Sequence, residues 1–355
     1  MREGVKEAVA KAQAAGIRVI MVTGDHVTTA AAIAREIGLG AGPLRVIEGS
    51  ELKAAGSRKL SDFDVVARAI PAQKLDLVRE LRSSGEIVAV TGDGVNDVPA
   101  LQGADIGIAM SERGTRTARE VASIVLLDDN FRTIVRAIAE GRQLFRNLKL
   151  SFAYLLMMHI PLVATAALIP FAGFPLLYLP MHVVWLELII HPTALLVFQD
   201  LPASDRLDPV ERNLKLRFFD WREWTLIGLI GTLVILLIVL GYTRSLGDNN
   251  NVEHARSMAF AALIVASATM TAGLTRLSSR GSLIAVLATI SSALVLVQVP
   301  ALASLLHLSP LHADDWLIAG LGGLLVGSLA AFLPSLAGER ATSQRKVRGK
   351  VADRP

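Results

Sequence analysis

Apolar and polar positions alternate differently in the two halves of this chain. Up to about Leu148, short apolar runs such as 17–22 alternate with amphipathic stretches such as 28–37, which Gly38 is placed to end. Short strands separated by helices are typical of a parallel sheet with helices packed on its faces. The first half of the chain is therefore predicted to be an α/β domain.

Beyond Leu148 the apolar runs become much longer and carry few charges. Each approaches the roughly 20 residues that a helix needs to cross a bilayer. We therefore predict an all-α bundle of about six transmembrane helices, at 150–172, 176–198, 224–242, 257–274, 283–306 and 316–336.

Basic residues lie in alternate connections between these runs. The connections "FAGFP", "SLGDNNNVEHA" and "LHLSPLHADDW" carry little positive charge and are expected to face outward. Because positively charged connections stay in the cytosol, the α/β domain (residues 1–148) and the tail (residues 337–355) are predicted to be cytosolic, on either side of a membrane domain (residues 149–336). The basic residues that set this orientation are Arg206, Arg212, Lys215, Arg217, Arg222, Arg276, Arg280, Arg340, Arg345, Lys346, Arg348 and Lys350.

Composition supports a membrane protein and excludes some kinds of site. Hydrophobic residues make up 52% of the 355 positions, and the mean hydropathy is +0.48. The sequence pI of about 9.5 is explained by basic residues that flank membrane spans and meet anionic lipid, so no nucleic-acid partner is predicted. With no cysteine, the chain has no thiolate metal site.

An acidic loop in "VAVTGDGVNDVPAL" follows the apolar run that ends near Val90. Asp93 and Asp97 are four residues apart and are interleaved with Gly92 and Gly94. Mg²⁺ takes oxygen ligands and often uses one or two carboxylates together with phosphate oxygens. A solvated turn is the simpler interpretation, because Asp and Gly are common in turns. The neighbouring motifs favour a magnesium and phosphate site.

Two further segments carry chemistry suited to an anion. In "MVTGD", Thr23 supplies a hydroxyl at the end of a predicted strand, where open α/β sheets bind ligands. In "ARAIPAQK", Pro71 marks a helix start and Lys74 lies one turn later, where its charge can neutralise a phosphoryl group. On its own, Lys74 would be interpreted as a solvated helix lysine.

Together, "MVTGD", "ARAIPAQK" and "TGDGVNDVPALQGADIGIAM" closely resemble the phosphorylation domain of P-type cation-transporting ATPases, members of the haloacid dehalogenase superfamily with a Rossmann-like sheet. The resemblance implies Mg²⁺ and ATP as cofactors and a location in the plasma membrane of a prokaryote. It implies that Asp93 binds Mg²⁺, with Asp97 either a second ligand or a support for the first. The other implied site residues are Thr23, Gly24 and Asp25 at the phosphoryl group, Lys74 stabilising it, Asn96 and Asp97 in the adjacent loop, and Arg68 with Lys74 as cofactor-binding residues.

The Asp-Lys-Thr-Gly-Thr segment that carries the phosphorylated aspartate of this family does not occur in these residues. The family's nucleotide domain and first membrane helices are not among them either. Met1 is interpreted as an internal methionine of a longer pump, and the missing N-terminal part is the expected partner. These residues alone are predicted to be inactive, because the nucleophile is required to form the phosphoenzyme.

Two other functions stay open. The chain can be a non-catalytic membrane scaffold or regulatory partner of an intact pump. A free-standing phosphatase of the same superfamily is less well supported, because such enzymes also need the absent aspartate motif. An upstream reading frame that encodes a nucleotide domain distinguishes the pump from both.

Ionisable residues inside membrane spans are functional candidates, because they are costly to bury in lipid. Glu187 and His191 share a helix face at i and i+4, and His159 lies in the preceding span. Pro161 and Pro192 can break their helices and free backbone carbonyls. The histidines can instead join helices as structural polar groups. His182 lies near a span end and is predicted to be interfacial.

The predicted ion site departs from the calcium-pump pattern that the chain otherwise resembles. That pattern has Asn and Glu where this chain has His159 and Leu162, and Asn and Asp where it has Glu187 and His191. Calcium takes six to eight oxygen ligands, so two imidazoles and one carboxylate fit it poorly. The cation substrate is left open between a softer divalent metal and a proton.

The segment 124–148 is predicted to join the two domains. A strand ends near Leu127, and Asp128 to Asn130 are placed to cap a helix whose apolar residues recur at helical spacing up to the first span. In the resembling family this stalk transmits the phosphorylation state to the ion site.

Overall fold

The computed structural model describes residues 3–40, 42–53, 59–112, 114–199, 201, 218–249 and 251–334. These residues fall into two compact units, which divide between Gly141 and Arg142. Met1, the predicted basic tail 337–355 and the basic residues at 206, 212, 215 and 217 lie outside the described residues.

The first unit contains two three-stranded sheets, and every strand pair in them is parallel. In sequence order the strands are β1 (Met21–Val22), β2 (Val46–Glu48), β3 (Val65–Ala67), β4 (Ala89–Gly92), β5 (Ile106–Met110) and β6 (Ile124–Leu126). The first sheet has the order β1-β3-β2 and the second β4-β5-β6. Each crossover between parallel strands requires a long connection. The predicted α/β class with a parallel sheet is confirmed.

Five α-helices accompany these strands in the described residues, one before β1 and the others between successive strands except β2 and β3. They are α1 (Val5–Ala14), α2 (Val27–Glu36), α3 (Pro71–Ser83), α4 (Val98–Gly103) and α5 (Arg116–Val121). Gly38 has φ +72 just after α2, the left-handed conformation that glycine adopts without strain. Pro71 occupies the first turn of α3, where a missing N–H costs nothing. Val65 and Ala67 of β3 are completely buried, so the core of the first sheet lies against this strand.

The second unit is helical. Its helices are α6 (Phe131–Phe171), α7 (Pro180–Pro192), α8 (Trp221–Asn249), α9 (Val252–Thr275), α10 (Arg280–Gln298), α11 (Pro300–Leu305) and α12 (Ala313–Ala330). Within the described residues, 6 helices are long and apolar enough to cross a membrane, which confirms the predicted number. α6 begins in the first unit, and the division between the units falls inside it.

Capping at the start of α6 follows the sequence prediction. Asn130 Oδ1 accepts from the Arg132 backbone N–H at 3.0 Å, and Asp128 Oδ1 accepts from the Asn130 N–H at 3.1 Å. Strand β6 ends at Leu126, one residue before the predicted end.

Proline affects three spans differently from one another. The predicted span 283–306 is wrong as one helix: α10 ends at Gln298 and α11 begins at Pro300, because proline has no N–H to continue the helical bonding. α6 continues through Pro161 without a break, contrary to the proposed interruption. Pro192 does end α7, and a π-helical turn at Thr193–Val197 follows it.

α9 lies at the centre of the helical unit and packs against α8, α10 and α12. In its most apolar window, 83% of the residues are buried. Its contact with α12 depends on glycine: a Cβ on Gly327 would lie 2.6 Å from the Thr269 carbonyl oxygen, and one on Gly273 would overlap the Gly327 carbonyl. Small residues of this kind let helix backbones approach closely in membranes.

Candidate phosphate and ion sites

The loop Thr23-Gly24-Asp25 is held by backbone bonds at the carboxyl end of β1. Its Thr23 carbonyl accepts from the Ala69 N–H at 2.9 Å, and its Asp25 carbonyl accepts from the Arg68 N–H at 3.0 Å. The Thr23 Oγ1 accepts from the Asp25 N–H at 3.1 Å, which leaves the hydroxyl proton available to another acceptor. α2 begins two residues later with no acidic side chain in its first turn. This arrangement suits an anion.

Arg68 adopts a conformation that the sequence does not predict. Its backbone φ is +49, in the left-handed region that residues other than Gly, Asn and Asp rarely occupy. The guanidinium lies 3.2 Å from Glu48 Oε1, and its Nη2 lies 2.8 Å from His26 Nε2. A residue strained in this way next to a ligand loop is a functional candidate. Here the Arg68 side chain contacts Glu48 and His26, beside the loop Thr23-Gly24-Asp25.

Lys74 and Asp97 form a close ion pair. Lys74 Nζ lies 2.6 Å from Asp97 Oδ1, and both side chains are mostly buried. The other oxygen, Asp97 Oδ2, accepts from the Gly94 N–H at 3.2 Å and the Asp93 N–H at 3.3 Å. Lys74 therefore lies beside the acidic loop, and both oxygens of Asp97 have partners.

Asp93 offers the better carboxylate for Mg²⁺. Its side chain is exposed at the carboxyl end of β4, and within the described residues its carboxylate has no hydrogen bond or ion pair. Mg²⁺ keeps several waters and needs few protein carboxylates when a phosphate is present. One free carboxylate next to a lysine fits this ligand set. Asn96 is exposed in the same loop.

A salt bridge between Arg45 and Asp64, next to the first sheet, shifts the pKa of both side chains. Arg45 Nη2 lies 2.9 Å from Asp64 Oδ1, and Arg45 Nε and its backbone N–H both contact Asp64 Oδ2. Hydrogen bonds from the Arg45 side chain hold the pKa of the Asp64 carboxyl below its ordinary value, against the opposing effect of burial. The same contact raises the pKa of Arg45. This pair stabilises the fold next to β3.

In the helical unit, Glu187 lies between two histidines. Its Oε2 is 2.7 Å from His191 Nδ1 and 3.3 Å from His159 Nε2, and the two imidazole rings are 5.4 Å apart. Neither contact has hydrogen-bond geometry, so this oxygen has no hydrogen-bond partner among the described residues. One ligand atom from each of the three side chains lies within 4.8 Å of the others. The sequence-predicted ion residues are thus adjacent.

The backbone fixes the proton on His159. Its Nδ1 lies 3.0 Å from the Leu155 carbonyl oxygen, which can only accept, so Nδ1 carries the hydrogen. Nε2 then faces Glu187 with a lone pair in the neutral ring. Metal-bound histidines commonly use their other nitrogen to donate in this way. A lone pair and a carboxylate that face each other favour a cation between them.

Backbone irregularity lies close to this cluster. Pro192 follows His191 directly and leads into the π-turn Thr193–Val197. Single π-turns within helices are often found at functional sites. Pro161 lies two residues after His159, and its carbonyl accepts from the Thr165 hydroxyl at 2.7 Å. Proline lacks an N–H, so the helix loses one bond at each position.

His182 has a structural role. Its Nδ1 accepts from the Leu179 N–H at 3.2 Å at the start of α7, and its Nε2 lies 2.6 Å from the Leu306 carbonyl oxygen. Only 1% of the residue is exposed. Because both ring nitrogens are engaged, His182 ties the start of α7 to the segment after α11.

Family comparisons cover both units of the chain. Residues 1–105 and residues 74–138 each match a family described as haloacid dehalogenase-like hydrolase. Residues 175–335 match the family described as cation transporting ATPase, C-terminus. The chain is homologous to the P-type cation-transporting ATPases.

Three curated P-type ATPases illustrate the extent of the similarity. The "Calcium-transporting ATPase" of Bacillus subtilis (strain 168) is 33% identical, over 92% of this chain and 39% of its own length. "Calcium-transporting ATPase 1" of Bacillus cereus is 36% identical over 74% and 32%, and "Cation-transporting ATPase pma1" of Synechocystis is 46% identical over 49% and 20%. The chain thus spans about two fifths or less of these relatives.

Sequence reasoning missed two features of this P-type ATPase homologue. The left-handed Arg68 has no residue-type signal, because arginine does not favour positive φ. The Lys74–Asp97 pair joins residues 23 positions apart on different elements, so local spacing does not show it. The resemblance to P-type ATPases indicated Lys74 and Asp97 separately, and the structure adds that these two side chains are in contact.

Proposed function

We propose that this chain is the carboxyl-terminal part of an ATP-driven cation pump. It would supply the Mg²⁺-binding and phosphate-stabilising loops and the membrane path of the ion. One observation supports the proposal: the same chain contains both kinds of site. Lys74 contacts Asp97 at the sheet edge, and Glu187 lies between two imidazoles in helices long and apolar enough to cross a membrane.

Each loop residue of the first unit takes a specific role in this proposal. Asp93 would hold Mg²⁺, which neutralises charge on the transferred phosphoryl group. Lys74 would balance the remaining negative charge, with its ammonium positioned by Asp97. The Thr23 hydroxyl and the Gly24 amide would donate hydrogen bonds to phosphoryl oxygens, while the Asp25 amide holds the Thr23 side chain in place. The acceptor aspartate and the nucleotide domain would come from residues outside this stretch.

The transported cation is proposed to be a transition-metal ion or a proton. His159, Glu187 and His191 present two nitrogens and one carboxylate, a donor set that suits imidazole-preferring metals better than calcium. The relatives bear the names of calcium, general cation and sodium/potassium pumps, so their names assign no single ion. The donor set is the observation that favours a softer metal.

The remaining elements of the proposal concern place and partners. We propose a prokaryotic plasma membrane, with the first unit and the tail in the cytosol. Arg222, Arg276 and Arg280 lie at the ends of α8, α9 and α10 that this orientation places inside. ATP would act through the missing N-terminal part, and these 355 residues alone would form no acyl phosphate.

The test begins with the DNA immediately upstream of the Met1 codon. An in-frame nucleotide domain with an Asp-Lys-Thr-Gly-Thr segment is expected, and that complete frame should be expressed in membrane vesicles. Labelled ATP in a rapid-quench assay should then give an acid-stable, hydroxylamine-sensitive phosphoprotein. The 355 residues expressed alone should give none.

Two variants separate the functions of the two units in the complete frame. Asp93→Asn should lower the phosphoprotein level at limiting Mg²⁺ by about tenfold or more, because a ligand is lost. Glu187→Gln should leave phosphorylation possible but change its dependence on the cation. Asp76→Asn, on the exposed face of α3, is the matched control for the first variant. A stop codon upstream, or label on these residues expressed alone, contradicts the proposal and favours a scaffold or another enzyme.

A further inference from the structure

A second cluster of two histidines and one carboxylate lies at another place in the helical unit. His254 is in the first turn of α9, His312 immediately precedes α12, and Asp315 is in the first turn of α12. One ligand atom from each lies within 4.8 Å of the others. We propose that these three residues form a second metal site, for a divalent transition-metal ion of the zinc class.

The three side chains meet at one oxygen. Asp315 Oδ2 lies 3.3 Å from His254 Nε2 and 3.6 Å from His312 Nδ1. The two imidazole rings are 5.3 Å apart. Both His254 and Asp315 are more than nine-tenths buried, whereas His312 is exposed. A metal that reached this oxygen would have two buried ligands and one ligand open to solvent.

His254 provides the observation that indicates a ligand. Its Nδ1 lies 2.6 Å from Ser245 Oγ, which fixes the ring against α8. Its Nε2 is buried and has no hydrogen-bond partner among the described residues, although it faces Asp315. A buried polar atom without a partner is costly and calls for an explanation such as an ion. Coordination of a metal would satisfy this nitrogen.

Helix capping explains only some of the geometry. Asp315 Oδ2 accepts from the His312 backbone N–H at 3.0 Å, which is the bond of a helix N-cap. A cap needs one acceptor for one N–H, and it requires no imidazole. The cap therefore accounts for the position of Asp315 but not for the approach of two rings to the same oxygen.

The donor set selects the class of metal. Two imidazole nitrogens and a carboxylate are typical ligands of Zn²⁺ and neighbouring first-row ions, with a fourth position left for water. Calcium prefers more oxygens than are present. A cavity of about 170 Å³, lined by Asp315, Ser245 and Met258 among others, adjoins the cluster and has room for water.

This cluster is distinct from the one at Glu187. It lies where α8 ends and α9 and α12 begin, an end that the charge rule places away from the cytosol. The other cluster is not at a helix end: its His159 lies 12 residues before the end of α6 at Phe171, which is about 18 Å along the helix. The second site does not depend on the proposed pump function, because it requires neither ATP nor the first unit.

The test uses the absence of cysteine from the chain. In the full chain carrying Glu187→Gln and His191→Gln, which disable the other cluster, His254→Cys would place a thiolate at the proposed site. Addition of Co²⁺ should then produce a near-ultraviolet sulfur-to-cobalt charge-transfer band. His307→Cys, in the loop before α12 and outside the cluster, is the matched control and should produce none.

Each outcome decides the proposal. A band in the His254 variant alone supports a metal ligand at that position. No band in a His254→Cys protein that stays helical and monodisperse overturns it, and so does a band of equal strength in the His307→Cys control.

A second measurement covers a His254→Cys chain that fails to fold. In the same Glu187→Gln, His191→Gln background, equilibrium dialysis should find one Zn²⁺ per chain. Asp315→Asn and His312→Gln should each weaken binding by about tenfold or more, while Asn at 315 still caps α12. An absence of bound Zn²⁺, or affinity unchanged in both variants, overturns the proposal.

Discussion

Lys74 Nζ lies 2.6 Å from Asp97 Oδ1, and this ion pair joins the start of α3 to the acidic loop after β4. The same carboxylate accepts backbone hydrogens from that loop through its second oxygen. Asp97 therefore holds the loop and positions the lysine, while the neighbouring Asp93 carboxylate has no hydrogen bond or ion pair within the described residues. The three residues have separate tasks although two of them are the same amino acid.

The Lys74–Asp97 pair depends on Gly92. A Cβ at this position would overlap the Asp97 side chain, so Gly92→Ala is expected to displace Asp97 at a strain of about 1–3 kcal/mol. The Lys74 side chain is only 18% exposed and should become more reactive once its partner moves. Acetylation of Lys74, followed by mass spectrometry, should be several-fold faster. Gly94→Ala is the control, because a Cβ there lies 3.6 Å from Asp97 Oδ2; equal rates in both variants would refute the mechanism.

The Arg45–Asp64 salt bridge should make the first unit sensitive to acid. Because the folded-state pKa of Asp64 is lowered, its contribution to stability is present above the unfolded pKa of about 3.9 and is lost as the pH falls through the lower folded value. Asp64→Asn should reduce the urea midpoint at neutral pH and flatten its fall below about pH 4. Brief proteolysis of the full chain at increasing urea, with a protease active at neutral pH and with pepsin below about pH 4, measures this midpoint.

The control for that experiment is Asp76→Asn. Asp76 lies 4.0 Å from Arg79 on the exposed face of α3, and surface pairs of this kind contribute little. Its acid profile should match that of the unmodified chain. A profile for Asp64→Asn that also matches it would show that the salt bridge does not set the acid sensitivity.

The helical unit contains a mostly buried ion pair between Lys149 and Glu223. Lys149 Nζ is 2.6 Å from Glu223 Oε1, and Glu223 is only 4% exposed. Lys149→Met would leave a buried carboxylate unpaired and should destabilise the unit by about 3–5 kcal/mol. Thermal unfolding in detergent, followed by circular dichroism, measures the effect. The double variant with Glu223→Gln should recover much of the loss; an additive further loss would show that the two residues do not act as a pair.

Close packing of α9 and α12 should depend on Gly327. Gly327→Ala would bring a methyl group to 2.6 Å from the Thr269 carbonyl oxygen, so the backbones must separate. We expect a loss of about 1–3 kcal/mol, measured by unfolding in detergent. Gly320→Ala on the same helix meets no atom within 4 Å and should be neutral or slightly stabilising. Equal stability of the two variants would contradict the packing.

Local signals in the sequence predicted the elements well. The alternation of apolar runs gave the parallel α/β class, Gly38 and Pro71 marked helix ends, and the long apolar runs gave the number of spans. These features depend on residues close in sequence. The break between α10 and α11 was also local, but Pro300 lay inside a run whose hydropathy alone predicts one helix.

Contacts between distant residues could not be predicted in the same way. Asp315 follows His312 by three residues, but His254 lies on a different helix, so local spacing does not show the cluster. His159 and Glu187 were identified one by one from their cost in lipid, and only the fold shows that they touch. The left-handed Arg68 likewise reflects its tertiary surroundings rather than its residue type.

The burial of α9 has a consequence for how the protein is made. In the finished bundle this helix meets other helices on almost every side, and its most apolar window has a mean hydropathy of 1.7, against 2.5 for α8. During synthesis it is made before α10 and α12. Its hydroxyls would then face lipid. Retention of α9 beside α8 until its later neighbours arrive is therefore a requirement of biogenesis.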